Sequence, residues 1–337
     1  MDIDRNRYED IRTLLAAAGM TNLFTESRVT DGLWNDVWRI RTDDGSDMYF
    51  KRFEDHMQSP LFTGTPFIGA RDTFARNLKT HLMASEALGA SSLTIPRVLA
   101  VMPHRHSYLM AAVPRSFGAL LSSLQSGEFP TSLATVLAPG LSLFHSFSHS
   151  YTEAPEYYDR GFVEYKLNLQ FDAAAKMLGD RELQYLSDFV RDFRTHRECV
   201  VHGDLNSRNI LYNPIDGALA VIDFEQSYVG APEFDIAYIL SELVICGAVE
   251  GVTTDSVSKS GRSFLENYIA SAELSRSDAR EMEMKLTILT AVQVLYRIEG
   301  PTRSVWTGHL DDESRANLTT TVTKWITENP KIFSAVV

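Results

Sequence analysis

The sequence predicts an α+β fold in two lobes: an antiparallel sheet with helices over residues 1–113, and a larger, mostly helical part over 114–337. Three observations carry this. The chain has 337 residues, 44% of them hydrophobic, without internal repeats or low-complexity tracts, enough to bury a large core in about two domains or one bilobal unit. Alternation of apolar and polar residues, the period of a half-buried strand, is concentrated in the first third. After Pro114 helical spacing takes over and is broken by a short strand-like hairpin at 210–223.

The elements follow in order. Residues 4–19 have the amphipathic spacing of a helix, and a strand is expected near 28–32. "LWNDVWRIRT" and "DMYFKRF" alternate around the turn-like "DDGSD" and form a β-hairpin. Residues 54–71 carry two Pro and two Gly without a period and read as a loop, after which 72–89 returns to helical spacing and stops at Gly89. "IPRVLAVM" and "SYLMAAV" are two further strands joined by the polar turn "PHRH", completing a five-stranded first lobe. Helical spacing then marks 116–126, 131–149, 162–178 and 181–196. Inside this helical region, "NILYNP", the turn "IDGA" and "LAVIDFE" form a second hairpin.

Charge and composition narrow the function. A net charge of -12 without any basic run disfavours a nonspecific nucleic-acid binder, which neutralises phosphates with clustered Lys and Arg. No stretch approaches the roughly 20 apolar residues of a membrane span. The charged, amphipathic start lacks the form of a signal peptide, so a cytoplasmic location is expected. The two cysteines, Cys199 and Cys246, sit among apolar residues and read as buried free thiols, without a disulfide framework or a cysteine metal site. Nothing in the sequence specifies an oligomeric state.

The hairpin in the helical part carries the chemistry. If 210–213 and 219–223 pair, Asn209 at the start of one strand lies beside Asp223 at the end of the other, with Asp204 on the loop just before. Two neighbouring oxygen donors suit Mg²⁺, which takes one or two protein ligands plus substrate phosphates. A further carboxylate nearby can take the proton of an attacking hydroxyl. Lys51 closes the strand "DMYFKRF" and points into the cleft, and Gly32, in a strand–turn–strand context, lets backbone amides approach a phosphate. Together these are the parts phosphoryl transfer requires. Taken alone, Asp-x-x-x-x-Asn is a turn with capping side chains, and Lys51 an exposed strand-end lysine beside Arg52. The combination overrides both bland readings.

"HGDLNSRN", "IDFE" and "GAPEFDIAYIL" resemble the aminoglycoside phosphotransferase and choline kinase group of the protein-kinase-like superfamily, over roughly residues 20 to 240. The resemblance implies a bilobal kinase-like fold and an ATP- and Mg²⁺-dependent kinase of small-molecule hydroxyls. Asp204 would be the catalytic base or orienting carboxylate, Asn209 and Asp223 the metal ligands, and Lys51 the contact to the α and β phosphates. Met110 would lie near the adenine, with the backbone from Ala111 to Val113 bonding its edge. His202 and Asp235 would brace the catalytic loop.

The chain departs from this pattern in one respect. Such kinases hold the lysine with a Glu on the following helix, yet "DTFARNLKTHLM" has none and Glu86 lies too near the helix end, so the acidic partner of Lys51 is unassigned and a noncatalytic kinase-like binding or scaffold protein is the rival reading. The first lobe is also similar to lipopolysaccharide-core sugar kinases, although those carry Arg where this chain has Gly203. Glu225, directly after Asp223 and Phe224, is expected either near the metals or in a salt bridge. His145 and His149 share a helical face, but without a third ligand nearby they read as a helix end packed beneath the hinge. Glu233, Glu242 and Glu299 are weak candidates for an acceptor pocket. The acceptor itself stays open among antibiotic, choline-like and sugar classes, as does ATP against GTP.

Overall fold

The computed structural model describes residues 2–20, 23–29, 35–55, 69–249 and 254–328. The alternating segments form β1 (Phe24–Arg28), β2 (Asp36–Thr42), β3 (Asp47–Arg52), β5 (Val98–Met102) and β6 (Ser107–Ala111), while β4 (Leu93–Thr94) leaves for another sheet. The five strands build one antiparallel sheet in the order β1-β2-β3-β6-β5. The expected first strand lies earlier in the chain than 28–32, and Gly32 falls outside the described residues.

β3 is the central strand, and the two-residue period of its side chains divides its work. Met48 and Phe50 face a helix, α1 (Asp2–Ala17), where they pack with Ile11, Leu14, Leu15, Ile40 and Leu109. Lys51 therefore points to the opposite face, toward the helical part. On that side lies α2 (Ala70–Ala87), which begins two residues before the expected start and carries Phe74 against Phe53 and Tyr108.

The inner face of α2 is unusually polar, with Thr73, Arg76, Asn77, Thr80 and His81 all buried. Asn77 accepts from the Tyr108 hydroxyl at 3.0 Å. His81 donates from Nε2 to the Pro96 carbonyl at 2.5 Å and packs on the rings of Phe224 and Tyr108. Burial pushes its imidazole down to about 4, so it is neutral in the fold and takes up a proton more readily once unfolded. The stability it contributes is present above the ordinary histidine value near 6.5 and is lost as pH falls from there through about 4. A His81→Gln variant, compared with the parent by urea unfolding at pH 7 and pH 4.5, is expected to lose about 2 kcal/mol of this pH dependence.

The helical part contains α3 (Leu120–Gln125), α4 (Ala138–Ser148), α5 (Gly161–Ala175), α6 (Asp180–Phe193), α7 (Glu233–Cys246), α8 (Thr254–Ser271), α9 (Arg276–Glu299), α10 (Arg303–Trp306) and α11 (Asp312–Glu328). The expected helix at 116–126 is shortened by a two-residue strand, β7 (Gly118–Ala119), and that at 131–149 opens with a π-turn at Leu133–Leu137. Every residue of α7 is buried, which fits a helix that is apolar on most sides and packed along α9. Cys199 and Cys246 are buried free thiols, as expected.

The predicted hairpin forms from β9 (Ile210–Tyr212) and β10 (Leu219–Val221), with Gly217 at φ 75° in its turn. It is the centre of a small sheet in the order β4-β10-β9-β7. A further pair, β8 (Cys199–Val201) with β11 (Tyr228–Gly230), brackets the loop that carries Asp204, and the hydrophobic pattern alone does not reveal it. Among the described residues no helix is long and apolar enough to cross a membrane.

Candidate active site

Hairpin pairing places Ile210 opposite Val221, and the Ile222 amide donates to the Asn209 carbonyl at 3.0 Å. Asn209 and Asp223 are thus held at the same end of the hairpin. Asn209 donates from Nδ2 to the Asp204 carbonyl at 2.9 Å and to Asp204 Oδ2 at 3.1 Å. This leaves the Asn209 side-chain oxygen without a partner among the described residues. Asp223 adopts a left-handed backbone with φ 70°, uncommon for a residue with a side chain.

Lys51 reaches across from β3 to close the group, 2.5 Å from Asp223 Oδ1 and 2.9 Å from Glu225 Oε2. Glu225 is thus the acidic partner that the helix after the lysine strand does not supply, and Asn35 donates to the same Glu225 oxygen. Burial alone would lower the Lys51 ammonium, but the two carboxylates outweigh it and hold the lysine charged. Burial likewise opposes ionisation of Asp223, and the adjacent Lys51 overcomes it and takes the carboxyl below its ordinary value. Glu225, buried and next to Asp223, is pushed up to about 7. Asp223 keeps 35% of its side chain exposed, so an oxygen still faces the cavity.

The loop holding Asp204 is fixed from below. Asp235, fully buried on α7, accepts the His202 amide at 2.7 Å and the Gly203 amide at 2.9 Å. His145 bonds the same carboxylate at 3.1 Å and Tyr268 through its other nitrogen. Burial would favour the neutral acid at Asp235, and the bonds from His145 and the loop amide reverse this and lower it. His145 therefore belongs beneath the loop that carries Asp204 rather than beneath 111–113, and His149 donates to the Glu198 carbonyl. Neither serves a metal cluster, and among the described residues no group of three His, Cys, Asp or Glu side chains is arranged to hold one. Gly203 sits at φ 78°, where an added Cβ would come within 2.2 Å of the Gln226 carbonyl. This site cannot take the arginine found in the sugar-kinase variant of the motif without moving the backbone.

One cavity of about 490 Å³ joins these groups. Lys51, Met110, Ala111, Val113, Asp204, Asn209 and Asp223 all line it, so these expected residues meet in one place. Part of its wall, Val29, Val37, Met110, Leu211 and Ile222, is an apolar slot beside the C-terminal end of β6. The amides there are only partly available. Ala111 donates to the Arg97 carbonyl at 2.9 Å and Ala112 to the Asp47 carbonyl at 3.1 Å, which leaves Val113 as the amide in 111–113 without a partner among the described residues.

Lys166, which no motif in the sequence singles out, enters from α5. Its ammonium donates to the Gly203 carbonyl at 2.6 Å, to Asp204 Oδ1 at 3.0 Å and to the Gln226 side chain. Its only sequence context is "FVEYKLNLQF", an ordinary helical pattern, so no spacing links it to Asp204. The weak acidic candidates lie elsewhere. Glu242 bonds Arg297 at 2.9 Å and the Ser207 amide, Glu233 pairs with Lys285, and Glu299 is exposed.

The sequence profile described as the phosphotransferase enzyme family matches residues 25–282. Among solved structures, the chain is similar to choline kinase from Cryptosporidium parvum Iowa II, with a TM-score of 0.58 and 11% identity over 98% of this chain and 97% of that one. It is also similar to amicoumacin kinase hAmiN in complex with AMP-PNP, Ca²⁺ and Ami, with a TM-score of 0.50 and 16% identity over 98% and 97% of the two chains. At these identities the likeness carries the fold, which is the bilobal kinase-like one expected. No curated protein matches the sequence.

Proposed function

Since the chain belongs to the phosphotransferase enzyme family, we propose that it transfers the γ-phosphoryl group of ATP, with Mg²⁺, to a hydroxyl of a small molecule. The observation that carries this reading is the meeting of Lys51, Asp204, Asn209 and Asp223 on one cavity. The donor set suits a hard divalent ion: Asn209 has an unpartnered oxygen, Asp223 an exposed one, and both ligands are oxygen. These two residues would hold the metal, which when bound neutralises phosphate charge.

The protein's own groups do the rest. Lys51, kept charged by its carboxylates, presents a fixed cation to the phosphates. Asp204, held by Asn209 and Lys166, orients the acceptor hydroxyl and takes its proton. Lys166 keeps a second cation beside the transferring group, so positive charge flanks the line of transfer from both lobes. The apolar slot beside Met110 receives the adenine, with the Val113 amide available to its edge. The missing helix glutamate no longer favours a noncatalytic reading, because Glu225 fills its position beside the lysine.

The test is ATP turnover across a panel of acceptor alcohols, with and without Mg²⁺. Nucleotide binding gives an independent check. A ligand at about 100 times its Kd adds about 2.7 kcal/mol of apparent stability, so the parent protein should show a clear thermal shift with Mg²⁺ and ATP. Asp223→Ala is expected to abolish the Mg²⁺-dependent part of that shift. An undiminished shift would remove Asp223 from the metal site.

A further inference from the structure

Beyond Asp204 the cavity continues between α5, α7, α9 and α10, where its walls are Phe162, Tyr165, Leu169, Tyr238, Tyr296 and Trp306. An aromatic chamber of this kind would ordinarily suit a cation, since ring faces attract positive charge. Here two of those rings, Tyr238 and Trp306, already carry cations of the protein's own. The Arg297 guanidinium lies 4.8 Å from the Tyr238 ring centre and 5.1 Å from that of Trp306, and the Lys166 ammonium lies 5.3 Å from Tyr238. Arg297 is 2% exposed and fixed by Glu242 and Gln293, so it cannot swing aside for a ligand.

The carboxylates give a cation no better purchase. Among the described residues Asp204, Asp223 and Glu225 are the acidic side chains on the cavity wall, against Lys51, Lys166, Arg208 and Arg297. Each of the three already bonds a lysine: Asp204 bonds Lys166, and Asp223 and Glu225 bond Lys51. An acceptor bearing an ammonium would therefore find no uncommitted carboxylate on the wall and would lie beside Lys166 and Arg297 in a partly water-excluded chamber, where like charges are poorly screened.

We propose that the acceptor site selects against positive charge and takes an uncharged alcohol built on a ring, aryl or sugar, whose flat face packs against the rings of Phe162, Tyr165 and Tyr296 while its hydroxyl reaches Asp204. The proposal rests on the phosphotransferase reading above and narrows it, setting amines, aminoglycosides and quaternary ammonium alcohols outside the substrate class. A ring of either kind offers C–H or π surface to the aromatic walls.

The test uses matched pairs in which one hydroxyl is exchanged for an ammonium group. Phenyl β-D-glucopyranoside is compared with its 2-amino-2-deoxy counterpart, and 1,4-benzenedimethanol with 4-(aminomethyl)benzyl alcohol, with choline as a quaternary probe. Each is titrated by calorimetry into the full-length protein with a non-hydrolysable ATP analogue and Mg²⁺ present. The uncharged member of at least one pair is expected to bind at least about tenfold more tightly than its ammonium partner and to be the better phosphoryl acceptor when ATP is supplied. The glycoside and aryl arms distinguish the two sources of the ring. Equal or tighter binding of the ammonium members or of choline overturns the proposal, and so does failure of every uncharged probe to bind. Failure of the kinase reading shows separately, as absence of Mg²⁺-dependent nucleotide binding in the same samples before any acceptor is added.

Discussion

Asp204→Ala should lower acceptor-dependent turnover by about 10²- to 10⁴-fold, the range over which a positioned acid–base group acts, while leaving Mg²⁺-dependent nucleotide binding within a few-fold of the parent. The separation follows from the geometry. Asp204 lies outside the slot proposed for the nucleotide around Met110, Ile222 and Lys51, and its backbone carbonyl, which the variant keeps, still accepts from Asn209. Steady-state rates and nucleotide-induced thermal shifts, measured on one preparation, check both halves. Full turnover in the variant would show that another group takes the proton. Asp204→Asn is the companion variant: it keeps the shape and one acceptor oxygen, enough for one of the two donors, Lys166 or Asn209, but it lacks a carboxylate to accept the proton, so it too should be slow.

The second large effect is on stability. Asp235→Ala removes the common acceptor of two buried amides, His202 and Gly203, and of His145, leaving donors that no water reaches. Breaking a buried pair of this kind typically costs about 3–5 kcal/mol. A matching loss in urea unfolding is expected, together with reduced turnover, because the residue that loses its footing is next to Asp204. Asp235→Asn retains an acceptor oxygen and should recover part of the loss. A wild-type unfolding curve for the alanine variant would mean that the loop is held by something other than α7.

How much of this was legible in the sequence depends on distance along the chain. The hairpin of β9 and β10 was, because its alternation, its Asp-Gly turn and the polar residues at its ends are local signals, and Asn209 and Asp223 emerged from it in the right relation. The five-stranded sheet was legible for the same reason, apart from the position of its first strand. What was not legible needed contacts between remote segments. Lys166 meets Asp204 only because α5 packs along α9 beneath the catalytic loop, and no periodic pattern encodes that meeting. The partner of Lys51 was sought on α2, where the family resemblance directed attention, although Glu225 stood two residues from Asp223. His145 could be set aside as a metal ligand from sequence, yet its place under the loop depended on how α4 and α7 cross, which a single chain of letters does not specify.

The pairing of Lys51 with Asp223 and Glu225 also bears on control. Both anions come from the segment just after the catalytic loop, and none comes from α2. In a kinase whose lysine is held by a helix of its own lobe, swinging that helix out disarms the enzyme while the lobes stay together. Among the described residues α2 offers no such handle. The carboxylates on Lys51 both sit on the segment that follows β10, so a movement that drew β3 away from that segment would part the lysine from both at once.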